Sequence, residues 1–324
     1  MASPHMADPF REQRVETGIL DGQVGDDRFV MALRFDDLKR VARNWRTFTS
    51  DVPFRVPIPA EHDVRSVRQL PIETDPPAHT AYRQLIAEVF SRRRAAAIAG
   101  EVRAVVDALL DTQLGAGPTE VVRAFALPVQ SRALALLLGR PPADAELWTS
   151  WGTHVFRDRA DGEAGHAADL DTYLEAALTQ ARTAPGDDFF GLLARATFDG
   201  RHLTDDELLG FANLVFAGGR DTVIGVIVDS LHHLATSDDA LGRLRRSPGL
   251  RATAIEEYLR HSSPITHIGR IVAEPVDLCG RSLDPGDLVS LCFASANRDE
   301  EVFDEPDRIM LDRQPNRHVA FGHG

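Results

Sequence analysis

The stretch Leu214-Val-Phe-Ala-Gly-Gly-Arg-Asp-Thr-Val-Ile-Gly-Val-Ile-Val228 decides the fold. It lies inside a helical pattern that begins at a capping box, Thr204-Asp-Asp-Glu207, and runs to about Thr236. The pattern predicts one helix of about 32 residues, or about 48 Å. Because its middle is apolar on nearly every side, we expect this helix to run buried through the middle of the protein.

The centre of this helix, Ala217-Gly-Gly-Arg-Asp-Thr222, contradicts its surroundings. Each glycine costs a helix interior about 1 kcal/mol relative to alanine, and such contradictions are typical of functional positions. Glycine lets a flat ligand approach the backbone, and a threonine hydroxyl can bond back to a carbonyl and open the helix. The alternative is a tight helix crossing beside an exposed charged patch, and this segment alone supports both interpretations equally.

Working outward, the pattern from Ala78 to about Leu250 is mostly helical, with apolar residues at steps of three and four. Strand-like segments lie outside this block, at Arg28–Arg34, Ile271–Val272 and Leu288–Phe293. The strands at the two ends of the chain are expected to share one small sheet. The sequence therefore predicts a mainly α protein with a minor β portion, folded as a single domain over residues 7–324.

Composition excludes several classes of function. The 324 residues carry 36 Lys and Arg against 49 Asp and Glu, a net charge of −13. Nucleic acid and anionic lipid both require a basic face, so neither is an expected partner. No apolar run approaches the length of a membrane span, and two cysteines indicate a reducing cytoplasm rather than a disulfide scaffold. Residues 1–6 are interpreted as a cloning remnant ahead of a start at Met6.

Three further motifs are weak when taken one at a time. Glu257 and Arg260 are three residues apart and share a helix face, which is common on protein surfaces. His79 and Arg83 are four apart, and the plain alternative for them is a solvated helix face. The chain ends in His318-Val-Ala-Phe-Gly-His-Gly324, where a tight turn is expected to bring backbone near a ligand.

Together and in this order, these pieces resemble the cytochrome P450 family, the haem-thiolate monooxygenases, and the closest resemblance is to its soluble bacterial members. The resemblance covers nearly the whole chain and implies haem b as the cofactor. It implies that dioxygen and a small apolar or amphipathic organic molecule are the substrates, and that a separate ferredoxin or flavodoxin-type protein supplies electrons. The residues that it places at the haem are His79, Arg83, Ala217, Gly218, Arg270, His318, Phe321 and Gly322.

The resemblance assigns a role to each group of these residues. His79, Arg83, Arg270 and His318 would neutralise the haem propionates. Thr222 would orient a water, and Asp221 would help to deliver protons through it. Glu257, Arg260 and Arg308 would form a buried structural charge triad. The family's variable substrate-access loop would fall at Phe54–Arg68, for which a plain solvent-facing loop is an equal alternative.

One departure from the family pattern concerns the axial ligand. The family's loop continues to a cysteine that ligates the iron, about four residues beyond the position of Gly324, so no metal ligand is assigned within this sequence. Cys279 and Cys292 belong to the preceding strand region and are not expected to replace it. Two hypotheses remain: a fragment of a haem-dependent monooxygenase, which the intact loop favours, or a haem-free homologue that serves as partner to another enzyme.

Overall fold

A computed structural model describes residues 8–54, 65–113, 117–153 and 166–324. The chain divides into two compact units. The first combines Met1–Glu61 with Gly225–Gly324, and the second comprises His62–Ile224. Both units are built mainly of helices, which confirms the predicted fold class. The interpretation of residues 1–6 lies outside the described residues, as do residues 55–64 of the predicted access loop.

The first unit holds a five-stranded sheet with helices around it. Its elements are α1 (Arg11–Glu16), β1 (Ile19–Val24), β2 (Asp27–Ala32), α2 (Phe35–Arg43), β3 (Phe48–Thr49), most of α10 (Asp221–Thr236), α11 (Ala240–Arg246), α12 (Leu250–Ser262), β6 (His267–Val272), β7 (Val276–Leu278), β8 (Arg281–Leu283), β9 (Leu288–Cys292) and α13 (Phe293–Ala296).

The sheet joins the two ends of the chain, as the sequence predicts. Its strand order is β1-β2-β9-β6-β3, with β2 parallel to β9 and Val30 opposite Val289. All five residues of β9 are buried, whereas the edge strand β1 has no buried residue. Burial of every residue explains why β9 is mostly apolar in the sequence and does not alternate between apolar and polar residues.

The second unit is helical around an aromatic core. Its elements are α3 (Ala78–Ile86), α4 (Arg92–Gln113), a π-helical turn (Val122–Ala126), α5 (Leu127–Leu138), α6 (Pro142–Ser150), α7 (Ala167–Thr183), α8 (Phe189–Arg195), β4 (Thr197–Phe198), β5 (Arg201–His202) and α9 (Asp205–Gly219). In the core, the rings of Trp148 and Phe216 meet edge to face with centroids 4.8 Å apart. Such pairs contribute about 0.5–1.5 kcal/mol beyond their buried area.

The apolar run from Asp205 to Thr236 forms two helices rather than one. The capping box at its start is present, since the Glu207 amide donates to Thr204 Oγ1 over 3.2 Å and the Thr204 amide donates to Glu207 Oε2 over 2.7 Å. Arg220 separates α9 from α10 with φ −106° and ψ −85°. The expected burial holds for much of α9, but only Ile224 is buried in α10.

The expectation that no stretch is apolar enough to cross a membrane needs correction. Within the described residues, Asp205–Thr236 passes that test by length and composition, with a mean hydropathy of 1.4 and 39% of its most apolar window buried. A core helix passes the same test. Arg220 and Asp221 interrupt the run at its middle, where a bilayer would disfavour charged side chains.

Candidate active site

Two glycines at the end of α9, just before the break in the central helix, have different surroundings. Thr222 Oγ1 donates to the Gly218 carbonyl over 2.6 Å, which is the back-bond that opens a helix locally. A Cβ added to Gly218 would meet no atom within 4 Å, whereas one added to Gly219 would lie 3.3 Å from Leu134 Cδ1. Gly219 therefore allows close packing against α5, and Gly218 leaves open space beside the backbone. The tight crossing of the alternative interpretation is present at Gly219, but its exposed charged patch is not, because Arg220 is buried. The approach of a flat ligand to Gly218 stays a prediction.

An apolar cavity of about 640 Å³ lies along this part of the second unit. Gly218, Gly219 and Val223 form one side of it, and residues of α4 and α5, among them Ile98 and Leu134, form others. Its volume is in the range of small-molecule sites, which are mostly apolar. Ala217, also predicted to contact the cofactor, is half-buried in the same helix and does not line this cavity.

Arg220, which the sequence analysis did not assign, is a buried anchor. Its side chain is 2% exposed, and Nη2 donates to the carbonyls of Trp148 over 3.0 Å and Gly152 over 2.6 Å. These carbonyls lie at and just beyond the C-terminal end of α6, where the helix dipole favours a cation. Burial lowers the pKa of Arg220 to about 10, a cost that nearby Asp221 partly offsets. Arg220 thus ties the break in the central helix to the end of α6.

The predicted pair His79 and Arg83 lies on α3, one helical turn apart. His79 is half-buried and Arg83 is exposed. Their spacing of four residues places both side chains on one face, as the sequence predicts.

In the first unit, the predicted haem residues lie on β6 and on the terminal loop. Arg270 is half-buried on β6, and its Nη1 donates to the Gly269 carbonyl over 2.7 Å. His318 Nε2 lies 2.8 Å from Glu256 Oε2, and the Ala320 amide lies 3.3 Å from Nδ1. Because an amide can only donate, Nδ1 is the acceptor and Nε2 carries the proton.

The terminal loop turns sharply, as its glycines indicate. The Gly322 amide donates to the Val319 carbonyl over 2.9 Å, and Gly322 has φ +84°, which favours glycine. Phe321 stands out from the turn with 78% of its surface exposed. The Val319 amide also donates to Asn297 Oδ1 over 2.7 Å, which fixes the loop to the residue that follows α13 in the same unit.

The buried charge triad exists, but its third member is Arg313, not Arg308. Arg260 pairs with Glu257 through two contacts of 2.8 Å, and Arg313 Nε lies 3.0 Å from both Glu257 oxygens. The side chain of Arg308 is 67% exposed and pairs with Glu305, so its predicted role is wrong. Only the Arg308 carbonyl takes part, as an acceptor for Arg260 and Arg313.

Glu257 is the centre of this network and is fully buried. Burial alone would raise its pKa, but hydrogen bonds from Arg260, Arg313 and the Met310 amide hold the pKa below its ordinary value. Asn316 Nδ2 donates to the same carboxylate over 3.2 Å. A buried carboxylate with this many donors is ionised and rigid, which suits a structural role beside the terminal loop.

Neither cysteine is prepared to act as a thiolate ligand. Burial raises the pKa of Cys292 to about 12, and burial together with Asp37 raises the pKa of Cys279 to about 11. Both thiols are therefore protonated at neutral pH, and neither is activated as a thiolate by its surroundings. The described part of the chain also contains no group of three or more His, Cys, Asp or Glu that could hold a metal ion.

Comparisons with known proteins identify the class to which this fold and site belong. The family model for cytochrome P450 matches residues 250–324. The chain is 34% identical over 256 residues to cytochrome P450 107B1 of Saccharopolyspora erythraea, covering 78% of this chain and 63% of that relative. It is 32% identical over 290 residues to cytochrome P450 monooxygenase PikC of Streptomyces venezuelae, covering 88% of this chain and 68% of that relative.

A solved structure of a carbohydrate active P450 matches with a TM-score of 0.90 and 40% identity, covering 98% of this chain and 83% of that one. The chain therefore belongs to the cytochrome P450 family, the haem-dependent monooxygenases, and its cofactor is haem. It spans about two thirds of the length of the two curated relatives named above. These relationships favour a monooxygenase over a haem-free partner protein.

The residues present fit the face and the propionates of haem, whereas none of them is assigned as the iron ligand. Gly218 leaves room for a flat group beside the helix, because a side chain there would point into open space. Arg83, Arg270 and the two histidines His79 and His318 are the donor types that suit propionate carboxylates. His318 carries its Nε2 proton toward a carboxylate in this structure, so it already acts as a donor to the kind of group that a propionate would present.

Proposed function

We propose that this protein oxidises a small organic molecule with dioxygen, at a haem held by the residues that the sequence singles out. The resemblance assigns the binding of the propionates to His79, Arg83, Arg270 and His318. Ala217 and Gly218 would border the haem face, and Phe321 and Gly322 would shape the loop behind it. The observation that carries the proposal is the helix break, where Thr222 holds the Gly218 carbonyl and leaves open space beside it.

Haem, when bound, supplies the iron centre that activates dioxygen. Thr222 and Asp221 would deliver protons to this centre. The Thr222 hydroxyl donates its hydrogen bond to the Gly218 carbonyl. Its oxygen can therefore accept a hydrogen bond from a water and orient that water. Asp221 is half-buried at the first turn of α10 and would exchange protons with that water. Arg220 would hold both residues in place through its bonds to the end of α6.

Two electrons would come from a separate ferredoxin or flavodoxin-type protein in the cytoplasm. The substrate would be a small apolar or amphipathic molecule, because the cavity beside Gly218 is lined mainly by aliphatic and aromatic side chains. A carbohydrate derivative is a second candidate, favoured by the 40% identity to the structure described as a carbohydrate active P450. Titration of the holoenzyme with members of both classes, followed by the haem absorption spectrum, distinguishes the two.

The first test is the absorption spectrum, with carbon monoxide, of the reduced full-length protein, because the cysteine that the resemblance assigns as the iron ligand falls beyond Gly324. The proposal is supported if the Soret band shifts to the position characteristic of thiolate-ligated haem. It is refuted if the purified protein contains no stoichiometric haem. The second test is Thr222→Ala, which should lower product formed per electron consumed by about tenfold or more, because proton delivery contributes at least that much to such reactions. Thr222→Ser should restore the yield.

The chain offers a matched control for this substitution. Ser230 on α10 makes the same type of back-bond, from Oγ to the Val226 carbonyl over 2.7 Å, but lies two turns further along. Ser230→Ala should leave the product yield per electron unchanged. Equal yields for Thr222→Ala and wild type would contradict the role assigned to Thr222.

A further inference from the structure

Residues 65–74, which include the end of the predicted access loop, are held by a buried ion pair. Arg65 Nη2 and Nη1 lie 2.8 Å and 3.1 Å from Glu73 Oε1 and Oε2, and the two side chains are 1% and 0% exposed. The Gln69 amide donates to Glu73 Oε2 over 2.7 Å. Because a bidentate pair fixes geometry as well as charge, the backbone at Gln69 has a defined position.

The same segment packs directly against α9. The Leu70 amide donates to the Gly210 carbonyl over 3.3 Å. A Cβ added to Gly210 would lie 2.2 Å from the Arg68 carbonyl oxygen, so only glycine allows the two backbones to approach this closely. Gln69 lies between these two contacts, and its side chain is therefore beside α9.

Two buried amide side chains meet at this crossing. Gln69 Nε2 donates to Asn213 Oδ1 over 2.7 Å, and the two residues are 6% and 3% exposed. Among the described residues, Gln69 Oε1 and Asn213 Nδ2 have no hydrogen-bond partner, although neither atom is completely enclosed. The pair therefore keeps an acceptor and a donor available inside the fold, where an unsatisfied polar group is costly.

The amide pair lies close to the helix break. Asn213 and Ala217 are four residues apart on α9, so they share a face and are separated by one turn, about 5.4 Å along the axis. Ala217 is a residue that the proposed function places at the haem face. A molecule held at that face would reach the amide pair with a substituent a few bonds from its reacting carbon.

We propose that the Gln69–Asn213 pair binds a hydroxyl group of the substrate and so selects hydroxylated organic molecules. The inference rests on the proposed function and names the substrate class within it. A hydroxyl group both accepts and donates, so it can accept from Asn213 Nδ2 and donate to Gln69 Oε1. Arg65 and Glu73 neutralise each other, and therefore the site offers no net charge to a carboxylate or an ammonium group.

The test compares cyclohexanol with fluorocyclohexane, in which fluorine replaces the hydroxyl group at nearly the same size. Binding of each compound to the haem-containing full-length protein is measured by calorimetry without an electron donor. A site built for a hydroxyl group rejects an analogue that leaves its polar groups unpaired. Gln69→Met, which keeps the length of the side chain without its polar atoms, should lower the affinity for cyclohexanol relative to fluorocyclohexane by about tenfold, or about 1.4 kcal/mol.

A double variant and a control complete the test. Gln69→Leu/Asn213→Leu removes both partners at once, so it leaves neither amide unpaired and should lose the same preference while remaining folded. The matched control is Gln130→Met, because Gln130 is also buried and also bonds to α9, from Nε2 to the Gly219 carbonyl over 2.8 Å. Its affinity ratio should stay within about twofold of wild type.

Two outcomes would overturn the assignment of the amide pair. One is an affinity ratio that is equal in wild type, Gln69→Met and the double variant, which would mean that the pair holds only water. The other is a loss in Gln130→Met as large as that in Gln69→Met. Failure of the proposed function appears separately, because absence of haem is visible in the absorption spectrum before any alcohol is added.

Discussion

Replacement of Arg313 by alanine should be far more damaging than replacement of Arg308, although the two arginines are only five residues apart. Arg313 is about 5% exposed, contacts both oxygens of Glu257, and donates to the carbonyls of Asp304, Glu305 and Arg308. Removing one partner from a buried charge network costs about 3–5 kcal/mol. That is a large part of the about 5–15 kcal/mol by which a typical protein is stable.

Arg308→Ala provides the matched control. Its side chain is 67% exposed and its partner Glu305 is 61% exposed, so the pair contributes about 0–1 kcal/mol. The carbonyl of Arg308 remains available to Arg260 and Arg313 after the substitution. Urea unfolding of the holoenzyme, followed by circular dichroism and haem absorbance, measures both variants. Equal losses of stability for Arg313→Ala and Arg308→Ala would refute the assignment of the triad.

Two further predictions concern protonation and space. His261 is buried, and burial together with Arg298 and Arg260 lowers its pKa to about 3, so folding requires the neutral ring. Stability from this histidine is fully present above pH 6.5 and falls as pH drops toward 3, by about 2 kcal/mol at pH 5. In His261→Gln the urea midpoint of unfolding should depend less on pH between 7.5 and 5 than in the wild type. An unchanged dependence on pH would contradict the assignment. Gly218→Val should lower haem content without destabilising the protein, since its side chain enters open space. In the control Gly219→Ala the new Cβ lies 3.3 Å from Leu134 Cδ1, so Leu134 must shift by a few tenths of an ångström; unchanged haem content in Gly218→Val would count against space for haem beside Gly218.

The elements that sequence reasoning predicted well are those whose signals are local. The capping box at Thr204 and Glu207 and the strands at both chain ends depend on neighbouring residues in the sequence. The single long helix predicted after the capping box is divided at Arg220. The hairpin of β4 and β5, inside the helical block, was missed although Asp199 and Gly200 carry a usable turn signal. Both have positive φ, 49° and 79°, as a two-residue hairpin turn requires.

The residues that were misassigned or missed depend on distant backbone. Arg308 and Arg313 both follow an aspartate in an irregular segment, and no local pattern says which side chain turns inward toward Glu257. Arg220 binds the carbonyls of Trp148 and Gly152, which lie about 70 residues away and have no sequence signature. Side chains that act on backbone groups are therefore the hardest to assign from sequence alone.

The central helix leaves apolar surface uncovered, which lowers the stability that side-chain packing would otherwise provide. Val223 is 41% exposed although it continues an apolar run, and Gly218, which lines the same cavity, carries no side chain to fill the space. Covering apolar surface is favourable by about 25 cal/mol for each Å², so leaving this surface open has a cost that ordinary packing would remove. A single leucine in place of Gly218 would cover much of it. The sequence instead keeps a glycine there and buries the cation of Arg220 two residues later, at the break between α9 and α10 and against the carbonyls of Trp148 and Gly152.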